Sequence, residues 1–190
     1  LILEFDLFAK QQLVEAQHRL RTDDTPIQLH YDDVDLLHPL IEEAFFAEAC
    51  RQLQKLRTNP SETGILLIAN GDSDPKCRAQ SYALMRLLWE RLGVADADVA
   101  FLRHGNRCVP DQLARCLNMP LQWILLPQLL WSGPRLEFIR TLIDDFRKRV
   151  PSASRWALGE PIGHHPSTAG WIQQRLLDLW NRHRSKLETR

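Results

Sequence analysis

The stretch Phe101-Leu102-Arg103-His104-Gly105-Asn106-Arg107 sets an arginine and a histidine side by side at the end of an apolar run, with a glycine after them. An imidazole in such a place can take a phosphoryl group or a proton. A guanidinium fork beside it can hold phosphate or carboxylate oxygens. Other positions carry groups suited to similar work. Asn70-Gly71 follow the apolar run Gly64–Ala69, and Arg135 follows Trp131-Ser132-Gly133-Pro134. Gly163-His164-His165-Pro166 places two imidazoles next to each other. Adjacent residues of an extended segment point apart, so one of that pair is expected to face solvent and His165 to serve the entry of the helix after it.

Other chemistries are disfavoured. The four cysteines, Cys50, Cys77, Cys108 and Cys116, form no C-x-x-C pair and no tight cluster with histidine, which reads as free thiols of a reducing cytoplasm. Asp72 and Asp74 match the start of a calcium loop, but the glycine and glutamate that such a loop needs further on are lacking, so a turn and helix cap is expected there. No G-x-G-x-x-G and no P-loop occurs, against dinucleotides and ATP. Lys+Arg and Asp+Glu are both 24, a formal net charge of zero, against a general nucleic-acid binder. No apolar run approaches the roughly 20 residues of a membrane helix. Leu1 opens directly on a strand-like pattern without an initiator Met, and the expectation is a fragment or a missing leader.

The elements that must position these residues are legible from periodicity. Leu1 to Phe8 predicts a strand, Ala9 to Arg21 a helix, Pro26 to His30 a short strand, and Pro39 to Leu56 a long amphipathic helix with Pro39 in its first turn. Arg57 to Thr63 is polar and aperiodic, the best linker in the chain. Then follow a doubly buried strand at Gly64–Ala69, a turn at Asn70–Pro75, a helix over Lys76–Leu92 and a strand over Asp98–Leu102. A short helix over Pro110–Leu117, a strand over Trp123–Trp131, a helix over Arg135–Val150, a strand over Ser154–Leu158 and a helix over Pro166–Arg184 complete the chain. Alternation of this kind implies a parallel sheet with helices on both faces, and ligands at the carboxyl ends of its strands. The loops after Ala69, Leu102, Trp131 and Leu158 are therefore the ones to watch.

A repeat runs through this order. The first 56 residues read β-α-β-α, and so does the C-terminal part. In both, a short strand leads to His-Pro and a long closing helix, at His38-Pro39 and at His165-Pro166. The fold expected is an α/β parallel sheet flanked by helices, one complete repeat unit preceded by half of another. Residues 1–57 form the back half of a first unit and residues 64–190 a complete second unit.

The second unit resembles the sirohydrochlorin chelatases, class II enzymes that insert cobalt or iron into a tetrapyrrole of cobalamin and sirohaem synthesis. GILLIANGDSDPKCRAQSYALMRLLWERLG is similar to that family's opening strand, turn and first helix. DVAFLRHGNRCVPDQLARC is similar to its second strand and the Pro-started helix after it. ILLPQLLWSGPRLEFI is similar to its third strand and Ser-Gly turn, and LGEPIGHHP to its last strand exit. Each motif is weak alone; four in the correct order are moderately specific.

The resemblance implies an ATP-independent metal chelatase of the lyase class, with cobalt, iron or nickel as substrate, no nucleotide, and a cytoplasmic location. It implies a sirohydrochlorin-type tetrapyrrole as partner, no nucleic acid and no membrane. A second copy, or an N-terminal part of the same protein, is the expected protein partner. Active members are similar in having a histidine in the turn after the first strand and another just past the glycine after the third. Here those positions are Asn70 and Arg135. Asn takes no proton near neutral pH, and Arg neither accepts one nor ligates a metal. The unit thus reads as catalytically degenerate. Arg103, His104, Arg135 and Trp131 are the substrate-binding candidates, the arginines for carboxylates and Trp131 for stacking on the macrocycle. His104 and His165 are the metal candidates. The alternative is a non-catalytic tetrapyrrole- or metal-binding scaffold half. A histidine phosphatase using Arg103-His104-Gly105 is third, because that triplet normally follows a first strand and here a whole β-α unit precedes it.

Overall fold

The computed structural model of the chain describes residues 2–4, 31–33, 35–71, 75–103, 107–119, 121–150 and 156–188. The predicted helix Ala9–Arg21 and strand Pro26–His30 lie outside the described residues, as do Asp72, Asp74 and His104.

Two short strands, β1 (Ile2–Glu4) and β2 (Tyr31–Asp33), pair in parallel. Helix α1 follows over Pro39–Leu56. Its N-cap is His38, whose Nδ1 accepts the Leu40 backbone N–H at 3.2 Å, and Pro39 occupies the first turn, where a missing N–H is harmless. Beyond the linker come β3 (Thr63–Ala69), α2 (Pro75–Leu92), β4 (Asp96–Phe101), α3 (Val109–Leu117), β5 (Gln122–Pro127), α4 (Pro134–Arg149), β6 (Ala157–Leu158) and α5 (Pro166–Glu188).

Strands β3 to β6 form one parallel sheet in the order β4-β3-β5-β6. Every residue of β3 is buried, as its unbroken apolar run requires of a central strand covered on both faces. Successive side chains alternate between two cores. Ile65, Leu67 and Ala69 point into one with α1, α2 and α5, whereas Leu66 and Ile68 point into the other with α3 and α4. At the start of β3, a Cβ on Gly64 would lie 2.6 Å from the Trp123 ring of the neighbouring strand, so glycine there lets the indole lie fully buried against the backbone.

Helix α1 belongs to the first core. Ile41, Ala44, Phe45, Ala49 and Leu53 are buried in the cluster that holds Ile65, Leu67, Ile124, Leu126 and Trp171. The Glu48 carboxylate also accepts the Glu160 backbone N–H just past β6, at 2.7 Å. Helix α1 thus roofs one face of the four-stranded sheet.

The strand predicted over Asp98–Leu102 begins two residues earlier, at Asp96, and the predicted end of β5 moves further. The sequence predicts a strand to Trp131, but β5 ends at Pro127. The Gln128 N–H still reaches Ile68 O at 2.8 Å, and the Leu129 N–H then turns back onto Pro127 O at 2.8 Å. That three-residue turn peels the chain off the sheet, leaving Trp131 in the following loop.

Candidate active site at the strand ends

The carboxyl ends of the four strands converge through backbone bonds. Past β3 and β4, Leu102 N donates to Ala69 O at 2.9 Å and Arg103 N to Asn70 O at 3.0 Å. Past β5 and β6, Ile162 N donates to Leu129 O at 3.1 Å and Gly163 N to Leu130 O at 2.7 Å. The sheet therefore brings Asn70 beside Arg103, and Trp131 beside the Gly163-His164-His165 exit. Asn70 is buried, Arg103 exposed and Arg135 half-buried in the first turn of α4.

Gly163 permits the second of these junctions. A Cβ there would sit 2.1 Å from Leu130 O and 2.5 Å from Trp131 Cε3, so any side chain would push the two loops apart. With glycine in place, the Trp131 indole is 48% exposed and lies edge-on to the His164 ring, centroids 6.1 Å apart at 78°. An exposed aromatic plane beside an exposed imidazole at a strand's ligand end is a fitting surface for a flat, polar macrocycle.

His165 has a different task. Its Nδ1 accepts the Ser167 backbone N–H at 3.2 Å, the same cap that His38 forms on α1. A neutral ring that accepts at Nδ1 carries its proton on Nε2. It can donate from Nε2, but accepting a proton or a metal there requires the cap to break. Among the described residues, no three His, Cys, Asp or Glu side chains come together as a metal-holding group.

Sequence reasoning missed the clamp beneath the Arg103–Arg107 loop. The Asp98 carboxylate, on β4 and almost fully buried, takes hydrogen bonds from Arg107 and Arg115, and Arg115 also reaches Asp96 at 2.8 Å. Phe101 N donates to Arg107 O at 2.8 Å. Arg107 is thus tied to β4 through both its backbone and its side chain, while Arg103 N–H is bound to Asn70 O past β3. Buried Gln128, at the exit of β5, was also passed over; its Oε1 has no protein hydrogen-bond partner. Only the alternation of Asp96 and Asp98 with apolar residues along β4, with arginines downstream, hinted at the clamp.

Burial pushes the Cys116 thiol up to about 12 and raises that of Cys50, so neither is a thiolate near neutral pH. A cleft of about 460 Å³ opens elsewhere, between the end of α1, α4 and β6, lined by Lys55, Arg140, Arg147 and Trp156 among others. None of Asn70, Arg103, Trp131 and Arg135 lines it.

The fold and strand-end motifs have known counterparts. The CbiX family model matches residues 64–179. A sirohydrochlorin cobaltochelatase from Priestia megaterium is 20% identical over 151 residues, which cover 79% of this chain and 46% of that protein. The chain therefore spans about half the length of this curated relative. SirB from Bacillus subtilis with Fe3+ superposes with a TM-score of 0.65 at 18% identity, covering 90% of this chain and 66% of that one. The sirohydrochlorin chelatase SirB from Bacillus subtilis subspecies spizizenii in complex with cobalt gives 0.53 at 17% identity, over 90% and 61%. Identities this low establish the shared fold alone. The family match runs from β3 into α5, across all four strand ends, and the chain belongs to the CbiX, or sirohydrochlorin chelatase, family.

Proposed function

We propose that this chain takes part in ATP-independent insertion of a divalent metal, cobalt, iron or nickel, into sirohydrochlorin, with the macrocycle held at the strand ends of the sheet. The observation that carries the reading is the meeting of Asn70 with Arg103, and of Trp131 with His164, across those ends. The P. megaterium cobaltochelatase and the SirB structures with iron and cobalt support the same class of reaction.

The chemistry divides the residues. As the metal enters, two pyrrole N–H protons must leave, and neutral imidazole is the natural acceptor near pH 7. Asn70 and Arg135 cannot take that part, and His165 is occupied by its cap. His164, beside Trp131, and His104 are the imidazoles assigned here to accept protons or deliver the metal. Arg103 and Arg135 bind the substrate's carboxylates by charge-assisted hydrogen bonds, and Trp131 stacks on the ring. Residues 1–57 are the back half of a first chelatase-like unit, and a full cleft lies between two such units.

The test is an anaerobic titration with sirohydrochlorin followed by Co²⁺, Fe²⁺ or Ni²⁺, read in the visible spectrum. Binding is expected, with Arg103→Ala and Arg135→Ala each weakening it about tenfold, the loss of roughly one charged hydrogen bond. Insertion faster than the uncatalysed rate assigns catalysis to this chain. Binding without acceleration assigns it the holding role alone, the scaffold reading, which the replacements at Asn70 and Arg135 favour. Absence of binding overturns the proposal.

A further inference from the structure

Strand β6 ends the four-stranded sheet, with β5 on one side and a free edge on the other. Along a strand, successive residues turn their N–H and C=O groups to opposite edges. Gly159 N donates to Leu125 O at 2.8 Å, and Ala157 stands against Ile124 in the parallel register. Ala157 and Gly159 therefore face β5, whereas Trp156, Leu158 and Glu160 turn their backbone groups to the free edge. The cleft of about 460 Å³ between α1 and α4 opens along that edge, and the same three residues line it.

Side chains take two of the outward groups. The Glu160 N–H donates to Glu48 Oε1 at 2.7 Å, and Trp156 O accepts from Arg147 Nη2 at 2.7 Å. Glu48 comes from α1 and Arg147 from α4, helices that pack on opposite faces of the sheet. Each is braced in place. Glu48 accepts from Arg51 Nε at 2.7 Å and from Gln52 Nε2 at 2.8 Å, and Arg147 Nη1 donates to Asp144 at 3.1 Å. Leu158 lies between the two plugs and turns its own N–H and C=O to the same edge.

This pattern is self-complementary. In an antiparallel pair, alternate opposed residues exchange both of their backbone hydrogen bonds. Two β6 edges related by a two-fold axis at Leu158 set Leu158 opposite its own copy, and Trp156 opposite Glu160 of the second copy. Trp156 O then accepts from that Glu160 N–H, and these are the two groups that Arg147 and Glu48 hold within one chain. Each plug supplies what a second copy would supply, a donor from the guanidinium and an acceptor from the carboxylate. We infer that the β6 edge is an isologous pairing surface for a second copy of this chain, and that Glu48 and Arg147 keep it closed. The inference rests on the sheet and its two covering helices, and not on chelatase activity.

Light scattering and hydrogen exchange on the full chain test the inference, with wild type, Glu48→Ala/Arg147→Ala and Glu48→Gln/Arg147→Lys compared. The double-alanine variant is expected to double its molar mass as concentration rises, and its Leu158 amide to gain about tenfold protection over wild type. The Gln/Lys variant keeps one acceptor and one donor, so its mass and its Leu158 exchange should match those of wild type. Retained protection in β3 and β5 distinguishes edge pairing from association of an unfolded chain. Loss of that protection moves the test to Arg147→Met, which removes one donor, leaves α1 untouched and is read in the same way. A folded variant that keeps the wild-type mass overturns the proposal, as does one that associates without protecting Leu158. Equal association of the Gln/Lys variant overturns it too, and so does a wild-type dimer in which Leu158 is already protected.

Discussion

Gly163 shows how much of a site can hang on an absent side chain. A methyl group there meets the Leu130 carbonyl oxygen at 2.1 Å and the Trp131 ring at 2.5 Å, neither of which is the loose end of a flexible chain. Gly163→Ala should therefore cost about 3 kcal/mol through overpacking, a fall in Tm of roughly 6–12 °C for a chain of this length. It should also swing Trp131 away from His164, seen as a change in indole fluorescence and as weaker sirohydrochlorin binding. An unchanged Tm would mean that the two loops do not meet as described. The histidines carry a parallel lesson. His165, expected at the helix entry and also a metal candidate, accepts the Ser167 N–H as a helix cap, and the less conspicuous His164 stands next to Trp131.

Among the elements, α1 has the most consequential placement, and Glu48 fastens it. Burial alone would raise the Glu48 pKa, but hydrogen bonds from Arg51, Gln52 and the Glu160 backbone N–H, with the Arg51 charge, hold it below 4.5. A carboxylate with a lowered folded pKa contributes stability that is complete above its unfolded value and lost as pH falls through the folded one. Glu48→Gln should thus cost about 1 kcal/mol at neutral pH. The difference in Tm between the two proteins should shrink as pH drops from about 5 to about 3. A difference that stays constant over that window would separate Glu48 from the acid response. Gln keeps the carbonyl that accepts Glu160 N–H, so α1 remains docked and the comparison isolates the charge.

The molecule as a whole is tied together by that same helix. The CbiX match covers residues 64–179, yet the core under that region is completed by Leu36, Ile41, Ala44, Phe45, Ala49 and Leu53 from outside it. A chain cut to residues 58–190 should lack a cooperative thermal transition, because one face of β3 and β5 would meet water. Each fully buried Ile or Phe of α1 contributes about 1.5–3 kcal/mol by burial, and a domain's net stability is only about 5–15 kcal/mol. Cooperative melting of the shortened chain within a few degrees of the full one would instead make residues 64–190 an autonomous unit. No helix among the described residues is long and apolar enough to cross a membrane.

Periodicity and local chemistry alone determined much of this protein. The run GILLIA can be little other than a doubly covered strand. Pro39 and Pro166 mark helix starts because proline's missing N–H is harmless only there. The four motifs in order identified the chelatase fold. Those are local signals, set by residues within a turn or two of one another. What required the tertiary structure was every relation between distant segments. Sequence marks the apolar face of α1 but does not say that β5 and β6 cover it. It marks Gly163 as a glycine but not that Leu130 and Trp131 press against it, and it lists Asp98, Arg107 and Arg115 without joining them into a clamp. Burial is non-directional, so an apolar stripe specifies that something must cover it; only the packed arrangement of the whole chain decides what does.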